Sequence, residues 1–140
     1  IILNNINKSK NKFGIHIHCP SGSTPKDGPS AGTAITVCII SLLCDIPINN
    51  LVAITGEIDL NGNVLPIGGL DSKVDGGKFA GVKHILCPSK NIDDLNKIRK
   101  RTNQPENNNF KVSTINNIYD ALEITLMMNN KKIKDYFKKI

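Results

Sequence analysis

A serine, Ser30, stands where the loop Thr24-Pro25-Lys26-Asp27-Gly28-Pro29 gives way to small and apolar residues beginning Ala31-Gly32. A hydroxyl at such a junction faces amide N–H groups of a first helical turn that have no intrahelical partner. Its oxygen can cap those amides, or the amides can stabilise an oxyanion that forms when the hydroxyl attacks a carbonyl. For a serine taken alone, capping is the ordinary role. Ser23-Thr24-Pro25-Lys26 has the S-x-x-K spacing of another nucleophile motif, but Pro25 lies inside it and no helix presents both side chains on one face. His16 and His18 invite a triad with Asp27, yet read as structural histidines. Cys19, Cys38, Cys44 and Cys87 show neither a C-x-x-C pair nor zinc-finger spacing; each lies in an apolar stretch and is expected as a small buried hydrophobe, which points weakly to a reducing compartment. The Gly77-Lys78 pair is no phosphate loop, because Ser72 stands where the first glycine is required and Phe79 where Ser or Thr must follow.

The elements that must position these groups alternate in type. Phe13 to Cys19 has the period of a half-buried strand, ended by Pro20. Ser30 to Cys44 is apolar nearly all round, as a buried helix would be. Leu51 to Thr55 reads as a short strand, and Glu57 to Leu65 as a β-hairpin turning at Asn61-Gly62. Pro66-Ile67-Gly68-Gly69 leads into a possible helix over 70–80, whose Leu70, Lys73, Val74 and Gly77 share a side and whose Gly76-Gly77 weakens it. A strand over 84–87, an amphipathic helix over 92–101, a strand over 110–113 and a helix marked by Ile118, Leu122, Thr125 and Leu126 follow. Such alternation gives an α/β, or mixed α+β, fold around one central sheet, with a β-hairpin and packed helices.

Length and charge narrow the classes further. At 140 residues, 39% hydrophobic and 21% charged, the chain supports one folded domain. Beginning at Ile1 in mid-pattern, it is expected to be a piece of a longer polypeptide, truncated at its N-terminal side. Residues 1–12 would then be a truncated leading segment and 13–140 the domain. Its excess of 21 Ile, 18 Asn and 16 Lys fits an AT-rich coding sequence better than a structural need. The net charge of +6 is carried by lysines against only two arginines, Arg99 and Arg101, and is not interleaved with aromatics, so a nucleic-acid-binding domain has thin support. No apolar run approaches the roughly 18 residues of a membrane-spanning helix.

Pro25-Lys26-Asp27-Gly28-Pro29-Ser30-Ala31-Gly32 resembles the nucleophile motif of the Lon family of ATP-dependent proteases. Thr55-Gly56-Glu57, then Leu65-Pro66-Ile67-Gly68-Gly69-Leu70 and Lys73, resemble the rest of that proteolytic signature in order and spacing, so the likeness runs from about Phe13 to about Leu126. After Lys73 the chain departs from the family's apolar run with Val74-Asp75-Gly76-Gly77-Lys78.

The resemblance implies a single Lon-type proteolytic domain and a serine endopeptidase in which Ser30 is the nucleophile and Lys73 the general base of a Ser-Lys dyad. A lysine can act so only when its site disfavours the charged amine, usually by desolvation, and Lys73 is expected on the apolar side of its helix. By the same resemblance Thr55 orients the lysine, Asp27 precedes the nucleophile by three in a mobile loop, and Glu57 is either a group beside the site or a hairpin charge. The domain itself would need no cofactor or metal; ATP and Mg²⁺ would belong to an absent ATPase module. Unfolded polypeptides would be the substrates, a hexamer the assembly and protein quality control the role, in an intracellular, reducing compartment such as cytoplasm or mitochondrial matrix, with no membrane or specific nucleic-acid partner. The alternative is a catalytically inactive Lon-like assembly or substrate-binding module.

Overall fold

His84–Pro88 is buried at every position, as befits a central strand covered on both faces. It is β4 of a three-stranded parallel sheet whose other members are β1 (Val52–Ile54) and β5 (Lys111–Ile115), in the order β1-β4-β5. The computed structural model describes residues 14–18, 28–102 and 109–128. Val52 is level with His84, and His84 with Lys111, so the three strands start together; β1 stops at Ile54, opposite Leu86, while β4 and β5 end level at Pro88 and Ile115. Between β1 and β4 the chain makes an antiparallel pair, β2 (Glu57–Ile58) with β3 (Val64–Leu65), and then helix α2 (Leu70–Phe79). Helix α1 (Gly32–Cys44) precedes the sheet, a 3-10 turn (Ser89–Asn91) and α3 (Ile92–Thr102) join β4 to β5, and α4 (Ile118–Thr125) follows.

Alternation along β4 divides the core into two layers. Leu86 faces α1 and α4, in a cluster with Val37, Ile40, Ile115, Ala121 and Leu122. Ile85 and Cys87 face α2 and α3, with Leu70, Val74, Leu95, Ile98 and Val112. The fold class is therefore the expected mixed α/β one, a central parallel sheet with packed helices and a β-hairpin. The hairpin turns where Asn61-Gly62 placed it: Gly62 has φ +84°, and the Asp59 carboxylate accepts from the amides of Asn61 and Asn63 at 2.8 and 2.9 Å. Asn117 caps α4 in a reciprocal box with Asp120. Among the described residues no helix is long and apolar enough to cross a membrane.

Three expectations need correction. Residues 14–18 join no strand ladder, and Ile15 and Ile17 are exposed because no described element covers them; Phe13 and Cys19 lie outside the described residues. Helix α1 is not buried all round: Thr33, Val37 and Ile40 form its covered face, whereas Leu42 is 68% exposed and Cys38 is exposed rather than a buried hydrophobe. Cys87 is buried as expected and Cys44 half-buried. Finally, Gly77 does not weaken α2 but lets it seat. A Cβ there would lie 2.6 Å from Ile85 Cδ1, so the glycine gains close packing on β4 in place of helix propensity.

Candidate active site

In parallel sheets, ligand sites form from the loops that leave the carboxyl ends of the strands. Thr55-Gly56-Glu57 leaves β1 there, Ser89-Lys90-Asn91 leaves β4, and Asn116-Asn117 leaves β5. The motifs separated in sequence attach to these loops.

Ser30 lies in the turn that enters α1 and is half-buried. The helix N-cap is Ala31, without any side-chain cap, so the hydroxyl of Ser30 is not spent on the ordinary capping role. Its carbonyl accepts from the Gly56 amide at 2.8 Å, and the Gly56 carbonyl in turn accepts from the amide of Thr33 at 3.0 Å and from its hydroxyl at 2.9 Å. Close approach explains the glycines: a Cβ on Gly56 would meet Val64 Cγ1 at 2.6 Å, and one on Gly32 would meet Ile58 Cγ2 at 3.3 Å. The nucleophile motif and the Thr-Gly-Glu motif are thus joined through their backbones. The amides of Ser30 and Ala31 make no hydrogen bond among the described residues.

Thr55 is buried, at 8% exposure, and its amide donates to the Leu86 carbonyl at 2.9 Å, while its hydroxyl has no hydrogen-bond partner among the described residues. Glu57 is half-buried at the start of β2. Asp27 lies outside the described residues.

Lys73 occupies the first turn of α2, its amide donating to the Gly69 carbonyl at 3.3 Å. Leu70 and Val74 carry the buried face of that helix, and Lys73, on its flank, is exposed. This corrects the expectation of a desolvated amine: in this chain the side chain reaches past the apolar face into solvent, and among the described residues it has neither hydrogen-bond nor ion-pair partner. No hydrogen bond links it to Ser30, so the structure joins Ser30 to the Thr55 segment and leaves Lys73 outside that network. His16 and His18 stack with centroids 6.4 Å apart and are exposed.

Asn91 is a residue that sequence reasoning missed. It is 4% exposed, and its carboxamide both accepts from the Ile67 amide at 3.0 Å and donates to the Ile67 carbonyl at 2.8 Å. An Asn at the start of a helix followed three residues later by an acid reads as a local cap, and nothing in that pattern points 24 residues back. Among the described residues no group of three or more His, Cys, Asp or Glu side chains could hold a metal ion.

Comparison with known proteins places this arrangement. Residues 3–128 match the family described as the Lon protease (S16) C-terminal proteolytic domain. A Lon protease of Rickettsia typhi is 44% identical over 115 residues, 82% of this chain and 14% of that protein. Lon proteases of Mycoplasma mycoides subsp. mycoides and Fervidobacterium nodosum are 44% and 41% identical, over 88% and 86% of this chain and 15% and 14% of theirs. The chain therefore spans about one seventh of the length of these relatives.

Proposed function

The chain belongs to the Lon protease C-terminal proteolytic domain family, and from that premise we propose that it is a serine endopeptidase domain in which Ser30 and Lys73 form the catalytic dyad. The observation that carries the reading is the Ser30 junction. A serine at the mouth of a helix, with its hydroxyl unused as a cap and its carbonyl pinned to Gly56, is held as a nucleophile must be held.

The chemistry balances with these groups alone. Lys73, as the neutral amine, takes the proton of the Ser30 hydroxyl while Oγ bonds to the scissile carbonyl carbon. Collapse of the tetrahedral intermediate breaks the C–N bond, and the lysine returns its proton to the leaving amine. Water, deprotonated by the same amine, then cleaves the ester and restores Ser30. The amides of Ser30 and Ala31, unpaired among the described residues, support the first helical turn as the oxyanion donor set. Thr55, buried next to Gly56 in sequence and with no hydrogen bond to its hydroxyl among the described residues, supports the role of orienting the lysine. Asp27 and Glu57 are carried as accessory groups.

For the full-length protein we carry unfolded polypeptides as substrates, a hexamer as the assembly and protein quality control in a reducing intracellular compartment as the setting. ATP and Mg²⁺ act in a module outside this chain, and the hydrolytic steps above do not run through them. One observation favours the second reading, a Lon-like module without activity: the Lys73 side chain is exposed and, among the described residues, has no hydrogen-bond or ion-pair partner. A fluorophosphonate probe applied to the full-length assembly decides between them. The dyad predicts labelling of Ser30 that disappears in Ser30→Ala and Lys73→Ala; an intact assembly that takes no label is the inactive module.

A further inference from the structure

Residues Pro66 to Gly69 belong to no ladder, yet they set where α2 begins and hence where Lys73 stands. Pro66 has no amide hydrogen, and Gly69, at φ +65°, is the N-cap of the helix. Ile67 is the fixed point of this stretch, because both of its backbone polar groups are taken by a single side chain, that of Asn91. A carboxamide offers an acceptor oxygen and an NH2 group with two donor hydrogens, one of them in the spacing of a peptide group, so two bonds to one residue fix its orientation as well as its distance. A third bond sets which way round the amide sits: Asn91 Nδ2 also donates to Asp94 Oδ2 at 3.0 Å, and a carboxylate can only accept. At 4% exposure the carboxamide has little access to water that could replace these bonds.

We propose that Asn91 is the positioning residue of the lysine arm: through Ile67 it holds the loop that leads into α2 and Lys73, so that the amine meets Ser30 in the assembled enzyme. The inference rests on the Ser30–Lys73 dyad proposed above. Asn91 touches neither substrate nor reacting atoms and acts only through the loop. Leucine of the same size would leave both Ile67 groups unpaired, aspartate would lose the donor, and glutamine would set the amide one methylene too far out.

Three variants of the full-length protein test this by peptidase kinetics, fluorophosphonate labelling and melting temperature. Asn91→Ala should lower kcat about tenfold or more with KM changed less than about twofold, and move the pH–rate profile of acylation, because misplacement of a reacting group costs rate rather than binding. Leu95→Ala, in the core face of α3, the helix that follows Asn91, should lower the melting temperature at least as much and leave kcat and the pH profile in place. The double variant Asn91→Asp, Asp94→Asn restores the bond between positions 91 and 94 but not the donor to the Ile67 carbonyl, and should stay about threefold or more below wild type. Unchanged kcat in Asn91→Ala, an equal loss in Leu95→Ala, or full activity in the swap would each overturn the proposal while labelling of wild-type Ser30 left the dyad standing. A wild-type assembly that takes no label overturns the dyad and the positioning role together.

Discussion

The serine arm and the lysine arm of the candidate site are held by different kinds of bond. Around Ser30 the links run from backbone to backbone: Gly56 amide to Ser30 carbonyl, Thr33 amide to Gly56 carbonyl, Thr55 amide to Leu86 carbonyl. Around Lys73 they run through side chains, Asn91 to Ile67 before α2 and Arg101 to Asp71 and Asp75 along it. Backbone bonds survive most substitutions, so the serine arm can be broken chiefly by crowding. The lysine arm depends on residue identity at each tether, and the Lys73 side chain stands in solvent. In the proposed dyad, the nucleophile would thus be held by backbone bonds and the base carried on a helix tethered through side chains.

The largest effect should follow from crowding the serine arm. Gly56→Ala puts a methyl group 2.6 Å from Val64 Cγ1 and 3.0 Å from Thr33 Oγ1, so either α1 or β3 must shift. A loss of about 2–3 kcal/mol in stability is expected from overpacking. Ser30 labelling should fall with it even at temperatures where the protein remains folded, because the displaced bond is the one to the Ser30 carbonyl. Denaturant unfolding together with the labelling rate checks this. Labelling at the wild-type rate in a folded Gly56→Ala protein would mean that Ser30 is positioned without the backbone link, and the contrast between the arms would fail.

A smaller effect is expected where a side chain only reinforces the backbone. Thr33 is fully buried and its hydroxyl donates to the Gly56 carbonyl at 2.9 Å, in parallel with its own amide at 3.0 Å. Thr33→Val removes the first and keeps the second. The expected cost is about 1 kcal/mol in unfolding free energy, with labelling of Ser30 reduced no more than about threefold. A larger loss of labelling would shift weight in the serine arm from its backbone to its side chains.

How far these arms were legible in the sequence follows the same division. The hairpin at Asn61-Gly62, the alternation of strands and helices, and the Ser30 junction are local signals, carried by turn chemistry, periodicity and a loop rich in proline and glycine. What could not be read locally is where each element meets another. The exposure of Lys73 depends on how α2 seats on β4, a contact in which Gly77 lies so close to Ile85 that a Cβ would stand 2.6 Å from Cδ1. The exposure of Cys38 and Leu42 depends on which face of an apolar helix the sheet takes, and a helix that is apolar all round does not encode that choice. The bridge from Asn91 to Ile67 spans 24 positions, and an asparagine's side chain names no distant partner in advance.

The smallest expected effect concerns Arg101, and it distinguishes the two tethers of the lysine arm. Its guanidinium lies 3.7 Å from an Asp71 oxygen and 3.6 Å from an Asp75 oxygen, one turn apart on α2, and all three side chains are more than half exposed. Pairs so exposed contribute little and are screened by salt, so Arg101→Ala should cost no more than about 1 kcal/mol. Its effect on kcat should be under about threefold and should vanish near 1 M salt, where the screening length falls to about 3 Å. The Asn91 tether is buried and neutral, so the loss in Asn91→Ala should persist at the same salt concentration. Peptidase kinetics of both variants across a salt series make the comparison. If Arg101→Ala proves as costly as Asn91→Ala and insensitive to salt, then α2 is held from α3 along its length rather than from the loop before it, and the pose of Lys73 is set by helix packing.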